Sequence, residues 1–247
     1  MIDQYGRTID YMRISIIDRC NLRCKYCMPE DIQWLSPKEI LSLEEIAEIC
    51  RQASLAGIRK IKLTGGEPLV RKGCVDLIRM IKAIPDIEQV TLTTNGVLLA
   101  QYAQQLYKEG LDAVNVSLDT LNREKYKKIT GFDAIADVLN GIAEMEKYAV
   151  PLKINAVLQP GVNDDDWQEL AELARHRDID VRFIEMMPIG CGKEFESISN
   201  VTLLQKMRTL YGLVEEDETS HGNGPAAYYR IPGFRGSIGF ISAIHGK

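Results

Sequence analysis

Three cysteines, Cys20, Cys24 and Cys27, fall within eight residues of the chain. Thiolates are soft donors, and a C-x3-C-x2-C run places three of them on one short loop. Two chemistries use such a set. Three irons of a [4Fe–4S] cluster can each take one thiolate, leaving the fourth iron open to a ligand. Alternatively, a structural zinc ion could take these thiolates with a distant fourth ligand. The unequal spacing and the position directly after a strand favour the cluster. The remaining cysteines, Cys50, Cys74 and Cys191, are scattered. Cys50 and Cys74 lie on helical patterns and read as small buried hydrophobes.

A second chemical signal is Thr64-Gly65-Gly66-Glu67-Pro68. Paired glycines let the backbone approach a ligand closely, and Glu67 could orient an ammonium group there. On its own the Gly65–Pro68 tetrapeptide reads as a turn, but it follows the cysteine loop by a single βα unit. His176, His221 and His245 have no ligand spacing, and Trp34 and Trp167 read as packing residues.

These residues need elements to place them. Strands are expected at 11–17, 60–63, 89–93, 113–117, 152–158 and 180–184, where β-branched residues run together. Between them lie amphipathic stretches at 43–56, 74–84, 98–109, 122–148 (in two pieces) and 164–176. Ser42 with Glu45 three residues on marks the first helix as a capping box. Strands alternating with helices pair in parallel through right-handed crossovers. Six βα units are too few for the closed eightfold barrel. The expected fold is therefore α/β, an open, about six-stranded partial TIM-type barrel over 1–190. Residues 191–247 should begin a carboxyl-terminal region with a short β extension. There, 228–231 and 237–244 read as strands around Pro232-Gly233, and Gly190–Gly192 and the acidic run 215–218 read as loops.

In parallel α/β folds ligands bind at the carboxyl ends of the strands. Here those ends carry the cysteine loop, the Gly65-Gly66 turn, Thr93-Thr94-Asn95-Gly96, Ser117-Leu118-Asp119 and Glu185-Met186-Met187-Pro188.

The whole chain has 247 residues, 45% of them apolar and 26% charged, and a net charge of −5. That balance is ordinary for a globular protein and argues against a basic nucleic-acid footprint, while leaving room for a local cationic pocket. No apolar run approaches the ~20 residues of a membrane span, and the amino terminus has no signal-peptide core. Reduced thiols in the cytoplasm are the expectation, with neither nucleic acid nor membrane as partner.

With its aromatic Tyr26, the Cys20-x3-Cys24-x2-Cys27 loop, followed by Gly65-Gly66-Glu67-Pro68, resembles the radical S-adenosylmethionine (SAM) superfamily. Tyr5-Gly6-Arg7, Tyr11-Met12-Arg13-Ile14-Ser15, Cys27-Met28-Pro29, Leu92-Thr93-Thr94-Asn95-Gly96, Asn115-Val116-Ser117-Leu118-Asp119 and the run Arg182 to Gly190 are similar to one family within it. That family is the molybdenum cofactor biosynthesis protein A family, the GTP 3′,8-cyclases. The resemblance implies a [4Fe–4S] cluster on Cys20, Cys24 and Cys27 whose open iron chelates SAM. One-electron reduction by a cellular donor then yields a 5′-deoxyadenosyl radical, which takes a hydrogen from the ribose 3′-carbon of GTP, and the new carbon radical attacks carbon 8 of guanine. It further implies that the Tyr26 backbone, Gly66, Ser117 and Met187 contact SAM, and that Arg13, Lys62, Thr93 and Lys153 face GTP. Lys62 stands where the family pattern has Arg, which keeps the charge and loses the bidentate fork. The family also carries a second three-cysteine cluster, opened by a C-x2-C shortly after the strand at 237–244, beside an Arg-rich stretch that holds GTP. The expectation is a truncated chain or a naturally short paralogue that keeps the SAM half and loses much of GTP recognition. Another radical SAM substrate, such as a peptide, and a non-catalytic cluster- or zinc-binding module are the competing readings. Among assemblies, a homodimer is the one to test.

Overall fold

A computed structural model describes residues 2–28, 31–219, 221–222 and 224–242. Pro29, Asn223 and the last residues, including Ile244 and His245, lie outside them. The chain folds as two compact units interleaved in sequence.

The first unit comprises Met1–Asn21, Gln33–Val116 and Ala136–Pro151. Its strands are β1 (Tyr11–Ser15), β2 (Lys60–Thr64), β3 (Gln89–Thr94) and β4 (Ala113–Ser117), whose last residue belongs to the second unit. They pair in parallel in that order, with Arg13 beside Lys62, Lys62 beside Thr91 and Thr93 beside Asn115. The helices are α1 (Leu43–Leu55), α2 (Cys74–Lys82) and α3 (Leu99–Lys108).

Ser42 caps α1 as its sequence predicts. Its hydroxyl accepts from the Glu45 N–H at 3.1 Å, and the Glu45 carboxylate accepts from the Ser42 N–H at 2.7 Å. Leu63, Leu77, Ile78, Ile81, Val90, Leu92, Leu99 and Leu106 are buried, and each such side chain stabilises the fold by about 1.5–3 kcal/mol. The strand residues alternate strictly, so the helix-facing set is apolar and the opposite face carries Arg13, Lys62, Thr91, Thr93 and Asn115.

The second unit comprises Leu22–Ile32, Ser117–Ile135 and Leu152–Lys247. The predicted 122–148 stretch does break in two, into α4 (Arg123–Thr130) in this unit and α5 (Ile135–Met145), which apart from Ile135 belongs to the first. Gly131, at φ +79°, ends α4 in a left-handed conformation that L side chains avoid. Then follow β5 (Leu152–Val157), α6 (Trp167–His176) and β6 (Ile179–Ile184).

Beyond residue 190 the structure adds three elements where loops or nothing were expected. A 3-10 turn spans Gly190–Glu194, and α7 (Asn200–Tyr211) starts at the Ser199 hydroxyl, which accepts from the Val201 N–H. The acidic run read as a loop contains strand β7 (Glu215–Asp217). Antiparallel β8 (Ala227–Arg230) follows, and β9 (Ile238–Ile241) then pairs in parallel with β6, so the extension contributes a further parallel strand. Among the described residues β1 has β2 as its sole partner strand and β7 has β8, so both are open edges and the sheet does not close. The fold is thus an open, mostly parallel α/β sheet of the partial-barrel type. No helix among the described residues is long and apolar enough to cross a membrane.

Candidate functional site: a cysteine loop and its supports

In the first unit, β1 runs out through Ile17 and Asp18 into Cys20. The turn after β2 lies flat against this exit: the Gly66 N–H donates to Ile17 O at 2.6 Å and the Glu67 N–H to Arg19 O at 2.8 Å. A Cβ on Gly66 would stand 2.3 Å from Arg19 O and 2.5 Å from Asp18 O, both backbone atoms. The paired glycines therefore bring the backbone against the start of the cysteine loop itself. That close approach is what their lack of a side chain permits.

Glu67 corrects an expectation. It is 1% exposed. Its carboxylate accepts from the Leu69 N–H at 3.0 Å, the Thr94 hydroxyl at 2.7 Å and the Asn95 N–H at 2.7 Å. Both oxygens are taken up by the chain, so Glu67 ties the ends of β2 and β3 together and does not meet a ligand's ammonium group. Burial pushes its carboxyl above the ordinary value, against three hydrogen bonds that lower it.

Asn95, so fixed, donates from Nδ2 to Asn21 Oδ1 at 2.7 Å and lies 3.6 Å from Cys20 Sγ. Arg13, Lys62 and Thr93 share the face of the sheet away from the helices. Thr93 Oγ1 accepts from Asn115 Nδ2 at 3.4 Å, and Arg13 is exposed.

The second unit holds the rest of the cysteine loop. The Arg23 N–H donates to Thr130 O at 2.8 Å and the Lys25 N–H to Ile129 O at 3.1 Å. The last carbonyls of a helix lack partners within it, and here the cysteine loop supplies two of them. Between Cys24 and Cys27, the Tyr26 hydroxyl donates to Asp119 Oδ2 at 2.7 Å, while Asp119 Oδ1 accepts from the Val157 N–H at 2.9 Å. Burial pushes the Asp119 carboxyl up to about 6, with both hydrogen bonds pulling the other way. Burial, the Asp119 charge and the Cys24 and Cys27 thiolates raise the Tyr26 phenol well above its ordinary value, so the shared proton stays on Tyr26. Sequence reading gave Asp119 no role, although it stands at the end of the Asn115–Asp119 motif.

Ser117, half-buried, ends β4, and Met187 is 40% exposed beside buried Met186. Lys153 is largely enclosed: it donates to Asp180 Oδ2 at 2.9 Å, to Tyr228 Oη at 3.1 Å and to the His221 carbonyl. His221, assigned nothing from sequence, packs its ring on Tyr228 at 4.1 Å and bonds Asp180 at 3.0 Å and Asp217 at 2.8 Å.

No disulfide joins Cys20, Cys24 or Cys27 among the described residues, Cys27 is exposed, and the loop contains no other cysteine. Among the described residues no three Cys, His, Asp or Glu side chains gather as ligands of a single ion. An iron–sulfur cluster does not require such convergence, because each thiolate takes a different iron. Three soft thiol donors within eight residues fit a [4Fe–4S] cluster, one to each of three irons. Cys50 and Cys74 are buried, and desolvation pushes their thiols up to about 11 and about 12, which leaves them inert as donors.

The Radical SAM superfamily profile matches residues 14–174, and the open, mostly parallel sheet agrees: the chain belongs to that superfamily. The fold likeness extends to solved structures. Streptococcus suis SuiB bound to its precursor peptide SuiA aligns at TM-score 0.68 and 18% identity, over 81% of this chain and 45% of SuiB. TYW1 with a lysine-pyruvate adduct aligns at TM-score 0.60 and 17% identity, over 85% of this chain and 76% of that one. Within the superfamily the assignment is narrower. GTP 3′,8-cyclase of Clostridium perfringens is 45% identical over 245 residues, which is 99% of this chain and 76% of that protein. Those of Petrotoga mobilis and Desulforamulus reducens are 44% and 45% identical, again over 99% of this chain. The chain belongs to the GTP 3′,8-cyclase family.

Proposed function

We propose that this chain is a radical SAM enzyme acting on GTP, the substrate in its relatives' name, and that it serves molybdenum cofactor biosynthesis. What supports this reading is the spacing of Cys20, Cys24 and Cys27 on a loop whose start is tied to the turn after β2 in the first unit and whose later residues are tied to the end of α4 in the second. When bound, the cluster and SAM supply a 5′-deoxyadenosyl radical for hydrogen abstraction from the substrate.

The chain's own contribution is binding and orientation. Cys20, Cys24 and Cys27 would hold the cluster, and SAM would bind beside it. The Tyr26 backbone, Gly66, Ser117 and Met187 face SAM. Arg13 and Lys62, adjacent in register on a polar sheet face that also carries Thr93, offer charge to a triphosphate. In a chain of net charge −5 such a local concentration is what draws in a polyanion. Lys153 completes the set, with its charge already partly spent on Asp180.

In this reading residues 1–190 carry the SAM chemistry and 191–247 begin the carboxyl-terminal region. On the same reading the enzyme works in the cytoplasm with a one-electron donor and without nucleic acid or membrane, and a homodimer is the assembly to test. The test is GTP deuterated at the ribose 3′-carbon, supplied anaerobically with SAM and dithionite. The 5′-deoxyadenosine should gain one deuterium. Unlabelled deoxyadenosine, formed equally with and without GTP, contradicts the assignment of GTP as substrate.

A further inference from the structure

Asn95 is the residue whose placement the functional reading leaves unexplained. Its backbone N–H is fixed to Glu67 Oε2 at 2.7 Å, and its side-chain oxygen accepts from the Val97 N–H at 3.1 Å. The second contact settles which end of the amide is which: the oxygen faces Val97, so the NH2 faces the cysteine loop. One of its two N–H groups is taken by Asn21 Oδ1 at 2.7 Å, and Cys20 Sγ lies 3.6 Å from the same nitrogen. That distance is a hydrogen bond for a sulfur acceptor, part-buried and so shielded from competing water.

We propose that Asn95 donates an N–H···S hydrogen bond to the Cys20 thiolate of the cluster and thereby sets the cluster's reduction potential. The inference rests on the cluster reading above. A hydrogen bond to a ligating sulfur stabilises the more negative, reduced state more than the oxidised one, so it raises the potential. Glu67 acts one step further out. By clamping the Thr94–Asn95 turn it holds the amide in the rotamer that reaches the sulfur. This accounts for a buried carboxylate in the Gly65–Pro68 turn without assigning it a ligand.

The experiment is an EPR-monitored redox titration of the reconstituted full chain, with iron and sulfide counted and no substrate present. Asn95→Leu, close in volume and without a donor, should lower the reduced fraction at a fixed potential about tenfold, which is a shift of about 59 mV to the negative for a one-electron couple. Ser42→Ala, altered at the cap of α1 and away from the Thr94–Asn95 turn, should keep the parent midpoint. Should Asn95→Leu fail to hold a cluster, the parent chain decides. With 15N-labelled asparagine, pulsed EPR of its reduced cluster should show a nitrogen coupling that the isosteric Asn95→Asp variant lacks. A full [4Fe–4S] complement with an unchanged midpoint in Asn95→Leu, or no 15N coupling in the parent, overturns the inference while leaving the cluster in place. A parent chain that takes up no [4Fe–4S] cluster overturns the cluster reading first and this inference with it.

Discussion

Replacing Glu67 by alanine tests whether this carboxylate is a structural clamp. In the native chain it takes two backbone N–H groups, of Leu69 and Asn95, and the Thr94 hydroxyl. The hydroxyl can turn to other partners; the two amides cannot. Each buried donor left unsatisfied costs about 1–3 kcal/mol, so the pair costs about 2–6 kcal/mol before any cavity is counted. Relief of the buried charge offsets part of this, since burial already raises the Glu67 carboxyl. A net loss of about 2–4 kcal/mol remains, a large share of the ~5–15 kcal/mol that stabilises a typical domain. Glu67→Gln should fall between, at about 1–3 kcal/mol, because in either orientation its NH2 faces a donor. Urea unfolding of the cluster-free chain, compared at equal slope, measures both. A loss below about 1 kcal/mol for Glu67→Ala refutes the clamp and returns Glu67 to the pool of ligand-binding groups.

Three further outcomes follow from the same geometry. Gly66→Ala forces a Cβ to within 2.3 Å of Arg19 O; the cysteine loop must shift, and iron uptake on reconstitution should fall sharply, whereas parental uptake would show the contact to be soft. Asp119 titrates near 6 when folded against 3.8 in the open chain. The unfolded state therefore binds fewer protons between these values, and stability drops on the order of 3 kcal/mol as pH rises from about 4 to above 6. Asp119→Asn should lack that component, and urea midpoints with the same pH slope in both chains would contradict it. Cys27, exposed, should be alkylated at pH 8 in the cluster-free native chain while buried Cys50 and Cys74 are spared; labelling of Cys74 before unfolding would contradict its enclosed position.

The strands and the cysteine loop were legible because their signals are local. β4 spans 113–117 as expected, and the other five predicted barrel strands agree to within two residues at each end. Periodicity in α1 and the Ser42–Glu45 box announced that helix. What escaped depends on contacts between distant residues. The Tyr26–Asp119 bond joins residues 93 apart, and nothing in either neighbourhood declares it. Glu67 looked like a ligand group because a carboxylate in a Gly-rich turn usually faces solvent; three donors from two strand ends buried it instead. β7 read as a loop because an edge strand tolerates charge: Glu215 and Glu216 face out, and Asp217 is buried against His221 and Arg230. α7 was missed although Ser199 is a preferred cap and Leu203 and Met207, four residues apart, form its buried stripe.

If the proposed function is right, the three-cysteine loop builds a working SAM-cleaving centre. The measurement is 5′-deoxyadenosine formed anaerobically from SAM and dithionite by the reconstituted chain and by Cys24→Ala. The account predicts deoxyadenosine from the parent chain and none above background from the variant. A parent chain that carries a full [4Fe–4S] complement and leaves SAM intact contradicts it.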